Sequence, residues 1–158
     1  MAKTPEDLQP ASWHRYFAIS ANNQAWTLAE QPADARDPLA LLDAAHASAW
    51  HWQVAGNTLN HMRATMLLAQ AHAAAGLGAS ALCYAETMRR YFLGEAATPD
   101  WEIAFTHAIH AHAAHAAGEA ALHREAFERA EQAIAAIADP EDKAVVQKLF
   151  DQIPRPAV

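Results

Sequence analysis

Residues 58–94 read TLNHMRATMLLAQAHAAAGLGASALCYAETMRRYFLG, and this stretch decides the fold. Ala64, Leu68, Ala71 and Ala75 recur at helical spacing up to Gly76, the apolar stripe of an amphipathic helix. Gly76-Leu77-Gly78 then leaves only a short turn before a second helix over 79–93. A turn that short makes the two helices antiparallel neighbours. Glycines at 56, 94 and 118 close other Ala-rich amphipathic stretches in the same way. No segment shows the period-two alternation of a strand.

Working outward, Ser12 is a good N-cap for a first helix that runs to Glu30 and stops at Gln31-Pro32, with Phe17, Ala21, Ala25 and Leu28 as its apolar stripe. Asp37-Pro38 supplies a cap followed by proline at the first helical position, opening a helix over 38–55 that ends at Gly56. Asn57 or Thr58 caps the third helix. Thr98-Pro99 repeats the cap-then-proline signal for a fifth helix ending at Gly118. A sixth runs to Ala138 with Leu122, Ala126, Ala130, Ala133 and Ile137 inward, and Asp139-Pro140 starts the last. That last helix points Val145, Leu149 and Ile153 inward and charged residues outward, as a helix closing a stack should. The expected fold is all-α: about seven antiparallel helices in stacked hairpins with a C-terminal capping helix. Residues 1–158 are expected to form one domain, with 1–11 and 154–158 flexible.

Composition narrows the functional classes. The 158 residues carry a formal net charge of -7, and only 18% of them are charged. This is the wrong sign for tracking phosphates, so nucleic acid is not an expected partner. A mean hydropathy of -0.15 and the absence of about 18 consecutive apolar residues argue against a membrane span. The charged, proline-containing opening lacks the apolar core of a secretory signal, so the expected location is cytoplasmic. Cys83, the single cysteine, cannot form an internal disulfide and is expected to be buried as a small hydrophobe. Protonating all ten histidines would take the net charge from -7 to +3, so the charge responds strongly near pH 6.5.

The segment with Leu68, Ala69, His72, Gly76, Ala81 and Ala85 resembles a tetratricopeptide hairpin, with small residues where the helices approach and glycine at the turn. The likeness covers about 38–138 without a strict 34-residue period, since Gly56 and Gly76 lie only 20 residues apart. It implies a concave face built from the first helix of each hairpin. Asn22-Asn23 with Trp26, Ala45-His46-Ala47-Ser48 with His51-Trp52, and Asp139-Pro140-Glu141-Asp142 also resemble a group of small, uncharacterised bacterial helical proteins. That resemblance implies no activity, but it implies that the Asn pair, His46, His51, Asn60 and Arg63 belong to whatever site the group has.

Several side chains carry chemistry of their own. Tyr16, Ile19, Asn23 and Trp26 share a mixed face with Asn22 on its flank, where amides could hold a peptide backbone or a small polar ligand. The competing reading is that the amides bond neighbouring backbone. Asp43, His46 and Trp50 fall together, so the carboxylate can orient the imidazole. Arg63 is the best candidate for gripping a carboxylate or phosphate. The fifth helix offers two i, i+3 pairs: His112 and His115 on the expected core side, and His107 and His110 roughly opposite. The second pair is the candidate for zinc or another transition metal, although two ligands make no site alone. Phosphate-binding glycine loops, His-Glu-x-x-His, Gly-x-Ser-x-Gly and Cys-x-x-Cys are all absent from the chain.

Two functions follow as expectations. The first is an interaction module without a cofactor, binding a peptide, a protein partner or its own copy as a homodimer through a groove lined by the inner helices, at Asn22, Asn23, Trp26, His46, His51, Asn60 and Arg63. The second is a metal-dependent or small-molecule enzyme in which His46, His51, His107 and His110 converge inside a helical bundle.

Overall fold

The computed structural model describes residues 3–4, 9–94 and 97–157. Among these there are seven helices and no strand: α1 (Pro10–Ala29), α2 (Pro38–Ala55), α3 (Thr58–Ala74), α4 (Gly78–Phe92), α5 (Asp100–Ala116), α6 (Ala120–Ala136) and α7 (Pro140–Phe150). Local chemistry sets most of the boundaries. The Asp37 carboxylate accepts from the backbone N–H of Leu39 and Ala40, and Asp139 does the same for Glu141 and Asp142, each ahead of a proline whose missing N–H costs the helix nothing. At α3, Asn57 and Asn60 bond each other's backbone N–H in a capping box.

Several ends differ from the sequence expectation, and two of them have a chemical reason. α1 begins at Pro10 with Gln9 as N-cap, because proline at the first position outweighs the capping preference of Ser12. α5 begins at Asp100, and the Thr98 hydroxyl donates to the Phe92 carbonyl 2.7 Å away. Thr98 therefore ties down the end of α4.

The tight hairpins turn on left-handed glycines. Gly76 has φ +74° and Gly118 φ +75°, a conformation that costs an L side chain about 1–2 kcal/mol. After each, the following N–H reaches back over the helix end, Leu77 to the His72 carbonyl at 2.8 Å and Glu119 to Ala114 at 3.0 Å, the Schellman closure. Successive hairpins α1/α2, α3/α4 and α5/α6 stack in chain order, and α7 packs on α5 and α6. Side by side, α1, α3, α5 and α7 form an inner layer, each touching the next.

Small residues allow this close stacking. Ala18, Ala25, Ala45, Ala69, Ala81, Ala85, Ala108, Ala113 and Ala130 are fully buried, and a Cβ on Gly78 would lie 2.4 Å from backbone atoms of Ala116 and Ala117. The larger core side chains are Leu41, Leu67, Met88, Phe92, Ile109 and Val146.

Some apolar assignments shift. In α1 the buried face is Ala18, Ala25 and Ala29, leaving Phe17 largely exposed. In α7 Val146 is buried and Val145 exposed. Cys83 is exposed as well. Of the ends expected to be flexible, residues 1–2, 5–8 and 158 lie outside the described residues, while Pro10 and Ala11 are helical. The 154–157 stretch lies beside α6: Arg155 sits 5.8 Å from the Phe127 ring centroid and 3.5 Å from Glu131. No helix among the described residues is long and apolar enough to cross a membrane.

Candidate functional site

The inner layer lines an open pocket of about 330 Å³ to which all four of its helices contribute. α1 supplies Asn22 and Trp26, and its C-cap residue Glu30 continues their four-residue spacing on the same face. α3 supplies Arg63 and Met66; α5 supplies Trp101, Glu102 and Phe105; α7 supplies Val145 and Leu149. The walls are mainly apolar and aromatic with a few polar groups, the usual make-up of a binding pocket. Trp26 and Trp101 both pack on Phe105, with centroids 5.9 and 6.1 Å apart.

One ion pair organises the floor. Arg63 Nε donates to Glu102 Oε1 at 2.7 Å and Nη2 to Oε2 at 3.2 Å. Glu102 is only 2% exposed, whereas the Arg63 side chain is 44% exposed. The two-point bond to Glu102 raises the Arg63 pKa, outweighing its partial burial. The guanidinium also lies 5.5 Å from the Trp101 ring centroid. Five N–H groups belong to an arginine and Glu102 takes two, so three remain for a ligand. At the rim, Lys148 of α7 bonds Glu30, the C-cap of α1, at 2.6 Å, joining the ends of the first and last helices.

Asn22, Trp26 and Arg63, three of the residues singled out from sequence, therefore meet in this cavity. The others lie elsewhere. Asn23 is exposed and accepts a 3.4 Å bond from Asn22. Asn60 is occupied by the capping box at the start of α3, so its amide serves the helix end. Arg63 grips a carboxylate, but that of its own Glu102. Glu102 escaped sequence reasoning because a glutamate in a helix is normally solvated. The signal was its place between Trp101 and Ile103, in a helix with almost no other charge.

The histidines pair across helix contacts. His46 Nε2 stands 3.0 Å from His72 Nε2, whose ring bonds Ser80 through Nδ1 at 2.7 Å. Ser80 in turn donates to the Leu77 carbonyl at 3.0 Å. This chain clasps α2, α3 and α4, and it replaces the expected pairing of His46 with Asp43. His51 meets His14 of α1 at 2.9 Å, and His115 lies against His123 with centroids 5.0 Å apart. Burial first, and the facing imidazole second, lower the pKa of His51, His72 and His123.

α5 is packed on several sides, so both of its histidine pairs are enclosed except for His115. His112 bonds Gln70 at 3.0 Å, and His110 lies 2.8 Å from Glu86. His46 and His51 on α2 do not converge with His107 and His110, since α2 and α5 share no contact. Among the described residues, no three His, Cys, Asp or Glu side chains gather as metal ligands. The back of α2 exposes Trp50 (68%) and Val54 (53%), apolar surface of the kind a homodimer would use. No protein-family model, curated protein or solved structure matches this chain.

Proposed function

We propose that this chain is a tetratricopeptide-like interaction module that binds a peptide segment of a partner in the groove of its inner helices. The observation that carries the reading is the cavity itself: one concave, mainly apolar space of about 330 Å³ fed by α1, α3, α5 and α7 together. An apolar groove with a few placed polar groups is how helical scaffolds take peptide anchors. The Asn22 amide can donate to and accept from a peptide backbone, and the spare Arg63 N–H groups can donate to a carbonyl. The tetratricopeptide resemblance of residues 38–138 supports the same face. Arg63 acts here as a neutralised donor platform on Glu102, which differs from a free cation awaiting a carboxylate.

Panning a random peptide library on the protein tests this reading. Val145 lines the cavity and is 57% exposed, so Val145→Glu changes the groove mouth without opening the core. Val54→Glu places the same charge on the back of α2. The expected result is a peptide consensus whose binding falls at least tenfold with Val145→Glu and is unchanged with Val54→Glu. A consensus indifferent to Val145→Glu, or no consensus at all, would overturn the proposal.

A further inference from the structure

Resting on the peptide-groove reading, we infer that the cavity takes a cationic side chain, lysine or arginine, as the anchor of the bound peptide. Trp26, Phe105 and Trp101 form an aromatic corner, with interplanar angles of 53° and 89° at Phe105. The faces of such rings attract cations through their quadrupoles. One cation already rests there: the Arg63 guanidinium over Trp101.

Charge points the same way. The charged residues lining the cavity are Glu30, Glu102 and Arg63, which Lys148 at the rim brings to balance, in a chain of net charge -7. Arg63 and Glu102 neutralise each other through two bonds. Glu30 is held by Lys148, a pair whose side chains are 44% and 59% exposed. A surface pair of that kind contributes little, so an incoming cation can take the place of Lys148 at Glu30. Trp26 lies one helical turn before Glu30 on the same face, and offers its ring to the same cation. The methylene stem of lysine or arginine then packs on Met66 and Leu149. An anionic side chain has no means of displacing Lys148 from Glu30 and is repelled by the negative ring faces, and a neutral one would leave Glu30 and the ring faces as they are.

Three blocked pentapeptides, identical except for Arg, Leu or Glu at the centre, distinguish the possibilities by titration at low salt with tetramethylammonium as a separate probe. The Arg peptide is expected to bind at least tenfold more tightly than the Leu peptide, and the Glu peptide not measurably. Glu30→Gln is expected to erase that advantage with no change in melting temperature. A Leu peptide that binds as well as the Arg peptide overturns the cationic anchor while leaving the peptide groove standing. Tetramethylammonium binding without any peptide binding overturns the peptide as the source of the cation. Failure of all four probes removes both the anchor and the groove reading.

Discussion

Lowering the pH from 7 to 5 is expected to remove about 4 kcal/mol of folding stability, from His107 and His112 alone. Burial holds both imidazoles at a pKa of about 4, with Arg129, Arg89 and His110 adding to the effect at His107 and Arg36, His115 and His123 at His112. In the unfolded chain each titrates near the ordinary 6.5. Between those values the unfolded state binds more protons than the folded one, so stability is complete above about pH 6.5 and is lost as the pH falls towards 4. Each group contributes about 2 kcal/mol of the loss by pH 5. Both residues are at most 9% exposed, so solvent screens little of it. His51, His72, His110 and His123 are shifted in the same direction and steepen the fall. A domain of ordinary stability has about 5–15 kcal/mol in total, which makes this a large fraction. Urea unfolding at the two pH values measures it through the transition midpoint. His107→Gln should lessen the loss by about 2 kcal/mol, since it removes one titrating group; a midpoint that does not move with pH would contradict the buried neutral imidazoles.

Arg63→Met is the second large effect, with an expected cost of about 3 kcal/mol. Removing the guanidinium leaves Glu102, 2% exposed, as a buried carboxylate without its partner. Glu102→Gln is milder, about 1 kcal/mol, because Arg63 is exposed enough to be hydrated and the amide oxygen still accepts one bond. The two changes together should cost less than Arg63→Met alone, because the buried charge has then gone. That non-additivity is the coupling a double-mutant cycle reports. If Arg63→Met were neutral, the pair would not be a structural part of the cavity floor.

Helix boundaries were readable where a short-range device sets them. Asp37-Pro38 and Asp139-Pro140 each start a helix with a cap and a proline, and Gly76 and Gly118 each end one with a left-handed turn. Together with the helical spacing of the apolar residues they give the all-helical class. Asn60 was also readable, since Asn57 and Asn60 have capping-box spacing, but the resemblance drew it towards the site. What the sequence hid is of another kind. α5 is enclosed by α3, α4, α6 and α7, so dividing it into a core face and an open face misplaced His107 and His110. The imidazole pairs join residues 8 to 37 positions apart, and periodicity carries no information about such meetings. Asn22, Trp26 and Arg63 were named without a means of knowing that Glu102, Phe105 and Leu149 complete their cavity.

The direct test of the groove is to observe the indole N–H resonances of the five tryptophans, Trp13, Trp26, Trp50, Trp52 and Trp101, while adding a peptide selected by panning. Binding in the groove predicts saturable shifts at Trp26 and Trp101 with Trp50 and Trp52 unmoved. Shifts at Trp50 with Trp26 and Trp101 unmoved would contradict it, placing the binding surface on the back of α2.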